Sequence, residues 1–186
     1  MSRFVVSDGP LAGLKLVRRQ RLGDARGFLS RLFCADELLV AGWTAAVAQI
    51  NHTQTQHADA VRGLHYQHPP HAEMKLVSCL RGEIWDVAVD LRCGSPTFLK
   101  WHAQVLSAEN GCALLLPPGF AHGYQALCDG VELLYCHSMP YAPRAQAGLH
   151  PLDPRLGIAW PRPVRGLSDQ DANQAPIDAS FEGVKL

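Results

Sequence analysis

No apolar run in the chain approaches the roughly 20 residues that cross a bilayer, so no membrane helix is expected. Neither sign of charge is in excess: 17 Lys and Arg stand against 17 Asp and Glu. The densest basic stretch is Arg18-Arg19 with Arg21, too little for a nucleic-acid surface. Met1-Ser2-Arg3-Phe4 reaches Asp8 and Gly9 without an apolar core, so no secretory leader is expected. A Gly-rich phosphate loop and a nucleophile–base pair are both missing, which argues against kinase and covalent chemistry. The six cysteines (Cys34, Cys79, Cys93, Cys112, Cys128 and Cys136) include no C-x-x-C pair. Several sit in apolar runs, where a free thiol acts as a small hydrophobe, so a reduced, cytoplasmic protein is expected.

The chain does have enough apolar residues, 47% of 186, for one domain spanning 1–186 with a sizeable core. Short apolar or alternating runs recur at Ala45–Asn51, Ala60–Gln67, Lys75–Leu80, Glu83–Asp90, Phe98–Leu106, Cys112–Leu116, Gly119–Ala126 and Val131–Ser138. Turn residues separate them, as in Arg81-Gly82, Glu109-Asn110-Gly111 and Pro117-Pro118. Many short strands between such turns predict an all-β sandwich or barrel. Only Ala35–Ala41 reads as a helix, and the part after Trp160 reads as an irregular wrap.

Alternation assigns faces. Trp85, Val87 and Val89 share one side of their strand, and Asp86, Ala88 and Asp90 the other. Leu133, Tyr135 and His137 share a side, as do Val61, Gly63, His65 and Gln67. Polar groups on strands of an otherwise apolar sheet suggest a lined cavity.

The most informative stretch is Val61-Arg62-Gly63-Leu64-His65-Tyr66-Gln67, with Lys75 ten residues after the histidine. A histidine is poised between neutral and charged near pH 7, and a nearby ammonium can hold a developing oxyanion. That pair suits proton abstraction next to a carbonyl. Arg62 and His65 fall on opposite faces of an ideal strand, so a bulge is needed for both to reach one ligand. Pro117-Pro118-Gly119-Phe120-Ala121-His122-Gly123 resembles the second half of a cupin pattern, which implies a double-sheet jelly roll. His65, His71, Glu73 and His122 also form a set that could serve a metal-dependent cupin oxygenase. Against that reading, Gln67 stands two after His65 where metal cupins carry H-x-H, and His68 and His71 flank Pro69-Pro70 in what reads as a loop. On residue type alone Asp171 is an ordinary solvated acid, and Tyr135 a core tyrosine.

Taken together the motifs resemble the dTDP-4-dehydrorhamnose 3,5-epimerase family from about Gly23 to Pro176. They include Gly23-Asp24-Ala25-Arg26-Gly27-Phe28, Gln49-Ile50-Asn51-His52, Arg62–Gln67, Lys75-Leu76-Val77, Asp86–Asp90, Pro118–Gly123, Glu132–Tyr135, Tyr141-Ala142-Pro143, and Leu167-Ser168 with Asp171. The resemblance implies a cupin-like jelly-roll barrel with short peripheral helices, its core at about 23–140 and a wrap at about 141–186. It implies a homodimer without metal or other cofactor, acting on a dTDP-linked 4-keto-6-deoxy sugar. By resemblance His65 is the general base, Asp171 its partner, Lys75 the donor to the C4 oxygen and Tyr135 the general acid across the ring. Arg62, Gln49, Asn51, His122 and Tyr141 fall on substrate-contacting positions. Arg26 and Phe28 fall on a segment that reaches the nucleotide, often across the dimer. Three departures stand out: Arg31 replaces an acid, Met139-Pro140 replaces Asp-Tyr, and His150-Pro151-Leu152-Asp153 replaces Arg-Trp-Asp-Asp. They lie in binding segments, which leaves a non-catalytic sugar-nucleotide-binding module as a further reading.

Overall fold

The computed structural model describes residues 2–186. Strands β1 (Phe4–Asp8), β2 (Lys15–Arg19), β5 (Gln49–Thr55), β7 (Lys75–Arg81), β10 (Cys112–Leu116) and β12 (Val131–His137) form one antiparallel sheet in the order β1-β2-β10-β7-β12-β5. Strands β6 (Val61–Gln67), β8 (Glu83–Asp90), β9 (Trp101–Ser107), β11 (Phe120–Ala126) and β13 (Gln146–Gly148) form a second, in the order β13-β6-β11-β8-β9. A separate hairpin pairs β3 (Arg21–Asp24) with β4 (Gly27–Ser30). The two large sheets make a cupin-like jelly roll.

The central strands of the two large sheets are covered on both faces, which is why they read as apolar on both sides. Val77, Leu106, Leu114, Phe120 and Leu133 meet in the core that both large sheets share. Phe4, Val17, Leu76 and Leu115, from the first sheet, pack under Leu38, Ala41 and Trp43. Those three come from α1 (Ala35–Leu38), the 3-10 turn Leu39–Ala41 that continues it, and the segment after it. The Ala35–Ala41 helix expectation therefore holds. Leu64, Val87 and Val89, from the second sheet, pack under Leu149, Leu156, Ile158 and Ile177 of the wrap.

The strand boundaries match the sequence reading at β8 and β10, fall within one residue of it at β6, β7, β11 and β12, and differ more at β5 and β9. β5 begins at Gln49 and ends at Thr55, four residues later at each end than the apolar run around it. β1 to β4 and β13 lack a clear alternating signal in the sequence. The part after Trp160 is mostly irregular, but it holds a short helix, α2 (Asp169–Ala172), capped where Ser168 Oγ accepts the Asp171 N–H.

Two local devices shape the site. The first is an irregularity between β6 and β11, where His65 faces His122 and Arg62 faces Tyr124. Two residues, Gly63 and Leu64, lie between Arg62 and His65 on β6, against one, Gly123, between His122 and Tyr124 on β11, so β6 carries the extra residue of a bulge. A strict period of two would put Val61 and His65 on one side. The bulge instead brings Arg62 and His65 to the same wall. Gly63 (φ +112°) and Gly123 permit it: a Cβ on Gly63 would lie 2.7 Å from the Gly123 Cα, and one on Gly123 2.7 Å from the Arg62 carbonyl. The second device is Gln125, fully buried on β11. Its amide donates to the carbonyls of Asp59, Arg162 and Pro163 at 3.1–3.2 Å, which ties the wrap to the sheet just before Gly166–Ser168.

Candidate active site

A cleft of about 410 Å³ opens between the two sheets. β6 supplies Arg62 and His65, and β11 supplies His122 and Tyr124. β7 supplies Lys75, β12 supplies Tyr135 and His137, and β5 supplies Asn51 and Thr53. Gly166, Leu167, Ser168 and Asp171 close one side from the wrap. A second chamber of about 200 Å³ shares Asn51, His65, Lys75 and His137 with it. Gln49, Tyr66, Gln67, Glu73, Met139, Tyr141 and Gln146 complete that chamber.

Nε2 of His65 lies 2.6 Å from Oδ1 of Asp171. An ionised carboxylate only accepts, so the proton sits on Nε2 and the lone pair on Nδ1. The other carboxylate oxygen, Oδ2, accepts the Gly63 N–H at 3.2 Å. Burial pushes the Asp171 carboxyl up, but its hydrogen bonds with His65 and Gly63 outweigh this and hold it below the ordinary carboxylate range. The side chain is only 4% exposed, so Asp171 is not the solvated acid that its residue type suggests.

Lys75 reaches the cleft with its Nζ 2.9 Å from Oε1 of Glu73 and 3.5 Å from the His65 carbonyl. His122 places Nε2 2.7 Å from Oδ1 of Asp86, a carboxyl whose pKa burial raises against the pull of the imidazole. The Tyr135 ring stands edge-on to His122, centroids 5.8 Å apart, and stacks on His137 at 5.9 Å. Burial first, and then the nearby Tyr124 and Asp86, push the Tyr135 phenol well above its ordinary value, so it stays protonated at neutral pH. His137 is pulled down to about 4 by burial and by the charge of Lys75, and stays neutral there.

Of the residues singled out from the sequence, His65, Lys75, Tyr135, Asp171, Asn51, Arg62 and His122 line the larger cleft. Gln49 and Tyr141 line the smaller chamber, where Gln49 Oε1 accepts the Tyr141 N–H at 2.9 Å. Arg26 and Phe28 do not line it. They sit on the β3–β4 hairpin around a separate depression, with Phe28 62% exposed and Arg26 paired to Asp24. The oxygenase set is not assembled either. Glu73 is engaged by Lys75 and Gln67, and His65 and His122 by different aspartates. Among the described residues no three His, Cys, Asp or Glu side chains converge as a metal site would require.

Sequence reasoning missed Asp86 and the partnership of Glu73 with Lys75. The first had a visible signal, an acid between Trp85 and Val87 in an apolar strand. The second had one too, since Glu73 lies two residues before Lys75 and extended chain puts such a pair on one side. Thr53 had only its place two residues after Asn51 on one strand face, and Leu167 and Ser168 only the motif they share with Asp171; Gly166 had no signal, because it meets the cleft only through tertiary placement.

The family model described as dTDP-4-dehydrorhamnose 3,5-epimerase matches residues 8–179. The chain is 39% identical to a dTDP-4-dehydrorhamnose 3,5-epimerase of Sinorhizobium fredii, over 95% of this chain and 92% of that one. It is 42% identical to a dTDP-4-dehydro-6-deoxyglucose 3-epimerase of Streptomyces bikiniensis, over 88% and 83%. Its fold superposes on dTDP-6-deoxy-D-glucose-3,5-epimerase of Legionella pneumophila, solved in complex with dTDP-4-keto-L-rhamnose. That match has a TM-score of 0.91 and 36% identity, covering 98% of this chain and 99% of the other. With the jelly roll, the cleft between its sheets and similarity along nearly the whole length in agreement, the chain belongs to the dTDP-4-dehydrorhamnose 3,5-epimerase family, a family of isomerases.

Proposed function

We propose that the protein inverts the carbons flanking the C4 ketone of a dTDP-linked 4-keto-6-deoxyhexose, giving dTDP-4-dehydrorhamnose or a related deoxysugar precursor. The ketone acidifies the hydrogens on C3 and C5. Nδ1 of His65 takes one of them, and Asp171 fixes the tautomer and stabilises the imidazolium. Charge moves to the C4 oxygen, which accepts a hydrogen bond from Lys75. Tyr135 returns a proton from the opposite face of the ring, which inverts the centre.

One observation carries this reading: His65 and Tyr135 come from different sheets and line the same cleft. A sugar ring between them is approached from two sides. Arg62 supports a phosphate-bearing substrate, since it lines the cleft and makes no ion pair among the described residues. Neutral His137 and protonated Tyr135 keep the floor uncharged beside a developing enolate.

The test is proton NMR of dTDP-4-keto-6-deoxyglucose with the protein in heavy water. Deuterium enters at each carbon that is inverted, so C3 alone is told apart from C3 and C5. A spectrum without exchange at either position defeats the proposal and leaves a binding module. Dialysis against a chelator is expected to leave the rate unchanged.

The same reading includes a homodimer, in which the exposed β3–β4 hairpin carries Arg26 and Phe28 to the partner's nucleotide. Its support is Phe28 and Leu29, both exposed on a hairpin that no other strand pairs. Sedimentation at a monomer mass would remove it. It also includes a cytoplasmic location, supported by six free cysteines, three of them buried.

A further inference from the structure

The lysine at the centre of the cleft is not free. Its side chain is 11% exposed, and that of Glu73, 2.9 Å away, 5%. Oε2 of Glu73 accepts a hydrogen bond from the Gln67 amide at 3.0 Å. That amide group is also 3.4 Å from the Pro140 carbonyl, and the Gln67 oxygen accepts the Ala142 N–H at 2.6 Å. A continuous chain therefore runs from the ammonium through Glu73 and Gln67 to residues 140–142, next to Met139 and Tyr141 of the smaller chamber.

An ammonium has three N–H donors in tetrahedral array. One is directed at Glu73 and a second, longer, at the His65 carbonyl. The third is left for the cleft. Burying a lysine also disfavours its charged form unless a partner offsets the desolvation. Glu73 meets both needs: it aims the remaining N–H and supplies a carboxylate partner within ion-pair distance.

We infer that Glu73 is the positioning residue for Lys75, and that Gln67 holds Glu73 against the 139–142 loop. The inference rests on the reading of Lys75 as donor to the ketone oxygen. Glu73 touches neither substrate nor reacting atoms; it acts through the lysine. The titratable and charged groups that line the two chambers with Lys75 are Glu73, Arg62, His65 and Tyr66 from β6, His122 and Tyr124 from β11, Tyr135 and His137 from β12, Tyr141, and Asp171 of α2.

The experiment measures kcat, KM and the pH profile of deuterium exchange for Glu73→Gln, Glu73→Leu, Lys75→Met and the double variant Glu73→Leu with Lys75→Met. Glu73→Gln keeps an acceptor in the same shape and is expected to lower kcat about tenfold, with KM changed by less than about threefold. Glu73→Leu is expected to lower it about a hundredfold, the scale of losing one aimed donor, and to bring the alkaline limb to lower pH. The double variant is expected to be no slower than Lys75→Met alone, because residues that act as a unit are not additive. Native kcat and pH limb in both Glu73 variants, beside a slow Lys75→Met enzyme, overturn the inference. Additive losses in the double variant overturn it as well. A native rate in Lys75→Met defeats instead the donor reading beneath it. Glu73→Gln guards against misfolding, since it preserves the shape of the buried side chain.

Discussion

Replacing Asp171 by asparagine isolates what the carboxylate does for His65. The two oxygens of Asp171 have separate duties: Oδ1 faces His65 Nε2 at 2.6 Å and Oδ2 accepts the Gly63 N–H at 3.2 Å. An asparagine has one oxygen for both. If the oxygen stays with Gly63, the NH2 group faces His65, and the imidazole must turn its lone pair to Nε2. Nδ1 then carries a proton and cannot take another. If the amide flips, Gly63 N–H meets an NH2 group in a buried place, and the imidazolium still loses its counter-charge. The flipped form keeps only a neutral hydrogen bond to His65 and leaves the Gly63 N–H facing a donor, together about 3 kcal/mol or roughly a hundredfold. The wrong tautomer costs up to about ten-thousandfold, as it does in a hydrolytic triad. Deuterium exchange at C3 and C5 is therefore expected to slow by about two to four orders of magnitude, with KM little changed. The NMR assay in heavy water reads the rate directly, and circular dichroism checks the fold. Exchange at the native rate in a folded Asp171→Asn protein would refute the dyad. Stability offers a second check. The folded-state carboxyl sits below its unfolded value, so its contribution is present above about pH 3.9 and is lost as pH falls through the folded value. The variant's acid unfolding curve should accordingly be flatter at its low end.

Other outcomes follow from the same geometry. His65→Ala should abolish exchange at both carbons, and persistence at the native rate would remove the base assignment. Tyr135→Phe should keep some exchange and lose inversion; equal loss of both would argue against its acid role. Gly63→Ala should destabilise by about 1–3 kcal/mol, because the new Cβ meets β11 backbone at 2.7 Å and the bulge must shift; an unchanged melting temperature contradicts this. His137→Gln should weaken the fall in stability between about pH 6.5 and 4. Native His137 is stabilising only while neutral, above its unfolded value, and that contribution is lost as pH drops through the folded value of about 4. Thiol labelling should reach exposed Cys93 first and buried Cys79, pushed up to about 11, only on unfolding.

Much of this protein was legible before any fold was known. Alternation in Glu83–Asp90 separates Asp86 and Ala88 from Trp85, Val87 and Val89, and the same two faces meet different cores. The side shared by Leu133, Tyr135 and His137 does face inward. These readings succeed because a strand's side chains obey a period of two whatever surrounds them. The hairpin strands β3 and β4 had no such signal, since nothing buries either face and no alternation is required.

What the chain order could not supply was which distant groups meet. Arg62 and His65 look opposed in sequence and share a wall only because β6 bulges against two glycines. Asp171 looks solvated because no local pattern buries it. It is buried because Gln125 ties down the wrap and Ser168 caps the helix that carries it over His65. Residue types and spacing determined the central strands, most of their faces and the chemical repertoire, since those depend on local geometry. Which acid partners which base depends on long-range closure of one sheet over the other, and that was decided by tertiary structure alone.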